Sequence, residues 1–209
     1  MIASRAAEYP DGVQRLSLSV ADLTQAAVFA ALIAVLGVPG QLNLSSGVPI
    51  TLQSMGVMMA GAILGPKKGT LAVLIFMVLA LAGLPILAGG RTGMVSLSSP
   101  TGGFFVAFLP AAFVIGLATA MMMPRYRLWL GFVINALGGA LLVYVIGSIW
   151  LMVRADMSVG AAAAVNGPFI IGDLLKAAVA ALVAQQVHRG RPGLIPPIRL
   201  RRTAVPAQP

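Results

Sequence analysis

Six long apolar runs, broken by proline, glycine and basic residues, leave this chain little choice of environment. They extend over about 20–38, 48–64, 70–87, 103–123, 128–153 and 166–187. A helix needs roughly 20 mostly apolar residues to cross a bilayer, and most of these runs approach that length. Only 9% of the 209 residues are charged, 59% are hydrophobic, and the mean hydropathy is +0.97. Soluble domains carry about 25% charged residues. The expected fold is an all-α integral membrane protein with six transmembrane helices.

The breaks carry the local chemistry. Pro39-Gly40 ends the first run, Gly65-Pro66-Lys67-Lys68-Gly69 the second, Pro124-Arg125-Tyr126-Arg127 the fourth and Arg154-Ala155-Asp156 the fifth. Asn166-Gly167-Pro168 opens the sixth with proline in the first turn, where its missing N–H costs nothing. The alanine-rich piece 159–165 is either a separate interfacial helix or an extension of that last run. The chain thus divides into a polar lead-in over 1–18, a membrane domain over 19–188, and a basic, proline-rich tail over 189–209 expected to be disordered. The lead-in makes a poor signal peptide, because Glu8 and Asp11 precede the apolar run and no cleavage site is clear.

Charge sets the expected orientation. With both termini in the cytoplasm, the inner segments hold eleven basic residues: Arg5, Arg15, Lys67, Lys68, Arg125, Arg127, Arg189, Arg191, Arg199, Arg201 and Arg202. The outer segments hold two, Arg91 and Arg154. That asymmetry obeys the positive-inside rule and agrees with an even number of spans. The net charge of +9 therefore reads as topology and not as a nucleic-acid footprint. The two outer loops, 39–48 with Gln41, Asn43, Ser45 and Ser46, and 88–102, are placed to roof a pocket. Irregular backbone near membrane depth survives only under protein cover or beside a wet cavity.

Several chemistries lack their residues. There is no cysteine, which removes disulfides and thiol chemistry. The lone His188 sits beside Arg189 and is expected to be a solvated residue after the last run. No Ser/His/Asp set, no paired intramembrane carboxylates and no H-E-x-x-H motif occur, so neither a catalytic site nor a metal site is expected. The 65–70 segment fails the spacing of a phosphate loop and is expected to be a tight turn. With five acidic residues, three of them Glu8, Asp11 and Asp22, a proton-driven relay is short of parts.

What remains is one pair inside a span. Asp173 and Lys176 are three apart, on one face of a helix. Charges at such depth usually face the bundle interior and mark function. They are either a structural ion pair or a ligand site, and Arg91 on the same side adds a fork suited to a carboxylate. The first run supplies a second feature, the small residues Ala26, Ala27, Ala30, Ala31 and Ala34. Small-xxx-small spacing lets helices approach closely in lipid, within the fold or against a partner.

Four strings then occur in order: Pro49-Ile50-Thr51-Leu52-Gln53, Gly83-Leu84-Pro85-Ile86-Leu87-Ala88-Gly89-Gly90, Ser99-Pro100-Thr101-Gly102-Gly103-Phe104, and Pro168-Phe169-x-x-Gly172-Asp173-x-x-Lys176. Together, across about 20–188, they resemble the BioY family, the biotin-specific S-components of energy-coupling-factor transporters. The resemblance implies a six-helix subunit of the bacterial plasma membrane that captures biotin from outside. It implies no catalysis and no cofactor, biotin being the cargo. Its implied partners are a transmembrane T-component and two ATPases, docked through small residues on the first helix, here Ala27, Ala30, Ala31 and Ala34.

Position by position, Asp173 and Lys176 match the family's acidic and basic pair. Arg91 follows the Gly-Gly of the third loop, and Thr101, Gly102 and Gly103 match its Thr-Gly-Gly element. Biotin offers two ureido N–H donors, a ureido carbonyl, an apolar bicycle and a terminal carboxylate. The resemblance thus assigns Asp173 to a ureido N–H, Lys176 to the ureido oxygen and Arg91 to the carboxylate. Tyr144, Phe104, Trp150 and Leu84 are the expected walls. The alternatives are an S-component for another vitamin-like solute, a stand-alone secondary carrier, and a membrane-assembly protein without a solute.

Overall fold

The computed structural model describes residues 18–38, 42–43 and 49–196. Expectations for the lead-in, for most of the 39–48 loop and for the end of the tail fall outside them. Within them the protein is helical, apart from a small antiparallel pairing of β1 (Leu42–Asn43) with β2 (Pro49–Ile50).

Helix α1 (Val20–Val35) starts at a capping box. The Ser19 hydroxyl accepts from the Asp22 N–H at 3.1 Å, and the Asp22 carboxylate accepts from the Ser19 N–H at 3.1 Å. Ala26, Ala30 and Ile33, spaced four and three apart, form its buried face. That face packs on α2 (Gln53–Leu81), where a Cβ built at Gly56 would stand 3.0 Å from Ile33.

The 29 residues of α2 contain one non-helical position, Gly65, at φ 79° and ψ −175°. Pro66 follows and has no N–H to continue the ladder. The chain reverses here. A Cβ built at Gly69 would lie 2.5 Å from the Ala60 carbonyl oxygen, whereas nine residues along one straight helix span about 13.5 Å. The arms 53–64 and 66–81 therefore lie side by side. The break falls where the sequence places it, but the helix resumes at Pro66. Lys67 and Lys68 are thus helical residues and not part of a turn.

The short helices α3 (Gly93–Ser98) and α4 (Gly102–Val106) lead into α5 (Phe108–Met122). Small residues let α5 settle against the α2 reversal: a Cβ at Gly116 would meet Gly65 and Pro66 at 2.6 Å. The next rod is composite. Helix α6 (Leu128–Asn135) passes through a π-helical segment (Ala136–Leu141) into α7 (Leu142–Ala155). The sequence shows one uninterrupted apolar run there. Helix α8 (Val159–Ala164) is followed by a turn at Val165 and Asn166, whose backbone stays in the right-handed helical region. A 3-10 turn (Gly167–Phe169) holding Pro168 then opens α9 (Ile170–Gly190).

Among the described residues, four helical stretches are long and apolar enough to cross a membrane: Gln53–Leu81, Gly102–Met122, Leu128–Ala155 and Val159–Gly190. Large apolar side chains such as Val20, Trp129, Val153 and Ile171 lie on the outside, a surface that suits lipid. The interior is closed by Ile33, Val57, Met58, Val73, Phe76 and Ile115, each less than 2% exposed.

Two expectations about the polar end change. His188 is half-buried and not solvated: its Nε2 lies 2.9 Å from the Ala62 carbonyl oxygen, and its ring stacks on Tyr126 with centroids 5.2 Å apart. The tail also begins as packed structure. Ile195 is 3% exposed and covers Gly65, and Lys68 donates to the Leu194 carbonyl oxygen at 3.4 Å. The same ammonium reaches Gln25 at 2.9 Å and Asp22 at 3.5 Å. One lysine so ties α1, α2 and the chain after α9 together.

Candidate functional site

The end of the bundle opposite the Gly65 reversal holds a pocket of about 720 Å³, open solvent at its mouth included. The cavity within it is about 90 Å³. The pocket is built by the start of α2, the chain from Leu87 through α3, the starts of α4 and α5, the π-helical segment with α7, and the 3-10 turn with the first turns of α9.

Its polar wall centres on the pair the sequence singles out. Asp173 and Lys176 are 8% and 7% exposed, with Lys176 Nζ 2.8 Å from Asp173 Oδ1. Two further groups complete the cluster. The Tyr144 hydroxyl donates to Asp173 Oδ2 at 2.6 Å, and Lys176 donates to Ser54 Oγ at 3.3 Å. Burying an unpaired ion is expensive, several kcal/mol even after relaxation. The network meets that cost by giving each carboxylate oxygen a donor. Each oxygen keeps a lone pair, and the ammonium keeps one of its three N–H groups. The wall can therefore accept from two N–H donors and donate to a carbonyl.

The π-helical segment explains how α7 contributes. An extra residue in the turn rotates the remainder of the rod by about 100° relative to an unbroken helix. Gly139, Val143 and Tyr144 all line the pocket. The apolar wall is aromatic, formed by Phe104, Phe105, Phe108 and Phe169, with Phe105 and Phe108 edge to face at 6.4 Å between centroids.

Arg91 lines the pocket at a distance from the Asp173 cluster in sequence, on a loop closed by its own bonds. The Leu87 N–H donates to the Arg91 carbonyl at 3.1 Å, and Arg91 Nε donates to the Ala88 carbonyl at 3.3 Å. Four guanidinium N–H groups remain for an anion. Half-burial pulls the guanidinium below its ordinary pKa, through desolvation, yet an arginine stays charged.

The remaining sequence candidates divide. Thr101 is on the wall, with its hydroxyl 3.0 Å from that of Ser99. Gly102 and Gly103 stand behind it and do not line the pocket. A Cβ at Gly102 would meet the Ser96 carbonyl oxygen at 2.8 Å, and one at Gly103 would run into Trp150 Cβ. They are glycine because neighbouring chain occupies the space of a side chain. Trp150 is also outside the pocket, bracing the loop by donating to the Ser99 carbonyl at 3.3 Å. Leu84 is 42% exposed and faces away. Thr51, Gln53, Ser54, Ser96 and Phe169 line the pocket without having been expected there. Thr51, Gln53 and Phe169 stand in the strings that carry the family resemblance, whereas Ser54 and Ser96 had no signal beyond being polar in a largely apolar stretch.

The alanines of α1 separate by face. Ala27 and Ala31 are exposed, Ala34 is half-buried, and Ala30 is 3% exposed within the core. Ala30 is thus taken by internal packing and is not available on an outer face.

Known proteins resemble this chain over most of its length. Residues 11–193 match the family model described as the BioY family. The chain is 44% identical over 184 residues to the biotin transporter BioY of Rhodobacter capsulatus, across 83% of this chain and 96% of that protein. It is 40% identical over 181 residues to the biotin transporter BioY of Rhizobium etli, across 84% and 97%. Among solved structures it resembles the S-component for biotin from an ECF-type ABC transporter. There the TM-score is 0.78 at 34% identity, with 83% of this chain and 95% of that one covered.

Proposed function

The chain belongs to the BioY family, and we propose that the pocket between α2, α7 and α9 is where it captures biotin. Its function is biotin uptake, as the membrane-embedded S-component of an ECF-type transporter and not as an enzyme. The observation that carries the site is the buried cluster of Asp173, Lys176, Tyr144 and Ser54, which matches a neutral ring with two N–H donors and one carbonyl. Asp173 accepts from a ureido N–H. Lys176 donates to the ureido oxygen. Arg91 takes the carboxylate, and the phenylalanines cover the bicycle. Such a site rejects analogues that leave its buried polar groups unpaired.

The chain crosses the membrane six times, with both termini in the cytoplasm. Support comes from the reversal at Gly65, which divides the 29 residues of α2 into two arms, and from the eleven-to-two distribution of basic residues. Neither arm reaches the ~20 residues of a full span, so the flanking 49–52 and 82–88 stretches complete the crossing. On this orientation the pocket opens outward. Release to the cytoplasm requires an energising module, a T-component with two ATPases. The face of α1 that holds Ala27 and Ala31 is the docking surface.

The test is direct. Protein purified in nanodiscs is titrated with biotin and with a panel of other vitamins. The proposal requires saturable binding of biotin in preference to the others. Equal or absent biotin binding by folded protein defeats it. Uptake of biotin into proteoliposomes without any ATPase partner would instead establish a self-sufficient carrier.

A further inference from the structure

Gln53 is 2% exposed and spends its whole amide on three backbone groups in two other segments. Its Nε2 donates to the Ile33 carbonyl at the end of α1 (3.3 Å) and to the Ile86 carbonyl (2.8 Å), and its Oε1 accepts from the Ala88 N–H (3.0 Å). Ala88 in turn accepts from Arg91 Nε at 3.3 Å, and Leu87 bonds the Arg91 carbonyl. Two hydrogen bonds therefore separate the Gln53 amide from the guanidinium. The main chain on either side keeps this space open. A Cβ at Gly37 would lie 2.5 Å from Gln53 Nε2, so a glycine there leaves room for the amide.

We propose that Gln53 is the positioning residue for the Arg91 loop, fixing the distance between the carboxylate end of the pocket and the Asp173 cluster. This rests on Arg91 being the carboxylate's partner. A glutamine suits the task because one planar group donates twice and accepts once. Leucine would fill the volume but take the partner from the buried Ala88 N–H and from the part-buried Ile86 carbonyl. The loop would then settle elsewhere, taking Arg91 with it. The ureido end keeps its own bonds among Tyr144, Asp173, Lys176 and Ser54, none of which uses the Gln53 amide.

The experiment compares biotin with biotinol, in which a hydroxymethyl group replaces the carboxylate. Dissociation constants are measured on the full chain in nanodiscs. The native protein should prefer biotin by about tenfold or more, as for a lost charge-assisted pair. Gln53→Leu should remove most of that preference while leaving biotinol binding nearly unchanged, and Arg91→Gln should do the same. Asp173→Asn should weaken both ligands alike. Gly37→Ala displaces the amide without deleting it and decides the matter if Gln53→Leu does not fold; it should also lower the preference. If Arg91→Gln removes the preference but Gln53→Leu and Gly37→Ala retain it, the positioning role is wrong. If Arg91→Gln itself retains the preference, the carboxylate assignment falls, and this inference with it.

Discussion

Replacing Asp173 with asparagine separates a ligand site from a structural ion pair, provided that it is done with its partner. Asp173→Asn leaves the Lys176 ammonium beside a neutral amide at 7% exposure. Removing one partner of a buried pair destabilises a protein by about 3–5 kcal/mol. A lower thermal stability is therefore expected whichever role the pair has. Affinity responds differently. A hydrogen bond to a charged group contributes about 1.5–3 kcal/mol, so loss of the carboxylate should weaken biotin binding by about ten- to a hundredfold at 1.4 kcal/mol per decade. The double variant Asp173→Asn/Lys176→Met removes both charges. It should recover much of the stability, because no uncompensated ion remains, while binding stays weak. Calorimetric titration with biotin and thermal unfolding in the same nanodiscs give both numbers. A folded Asp173→Asn protein with native affinity, or a double variant whose affinity returns with its stability, would refute the reasoning.

Other consequences are checked in the same way. Tyr144→Phe removes the 2.6 Å donor to Asp173 and should weaken biotin by about tenfold, at the lower end for a charged acceptor. Gly103→Ala drives a methyl into Trp150 and should destabilise the fold by about 1–3 kcal/mol, measured by thermal unfolding, although Gly103 touches no pocket atom. Ala27→Leu with Ala31→Leu should leave biotin binding intact and abolish uptake in cells that carry the energising module. Ala30→Leu should instead lower thermal stability, because its side chain is in the core.

These outcomes track how much the sequence could reveal. Asp173 and Lys176 were legible because two charges three apart in an apolar run have no bland surroundings. The reversal at Gly65-Pro66 was legible because a glycine free to take φ 79° precedes a residue that cannot donate. Gln53 was not. Its partners lie 20, 33 and 35 residues away, and no local pattern records a bond that only folding creates. The π-helical segment was hidden for a related reason. Ala136 to Leu141 differ in no obvious way from the apolar residues around them, and packing against Met58 and Ile115 accompanies the wider turn. The packing of Leu194 and Ile195 was hidden by their setting, since a basic, proline-rich composition also fits a solvated chain. The four alanines looked equivalent until a neighbouring helix covered one of them.

The doubled arms of α2 have a mechanical consequence. Where backbones approach as closely as Gly69 and Ala60, there is no side-chain cushion to deform, and neither arm can slide on the other without a clash. The pair is a strut. One tip holds Gln53 and Ser54 at the pocket, and the other end holds Lys68, which grips α1 and the chain after α9. A stiff beam does not absorb a tilt at one tip; it delivers it to the other. A tilt imposed at the pocket tip would therefore reach the base of α1, about one helix arm away, with no change of fold in between.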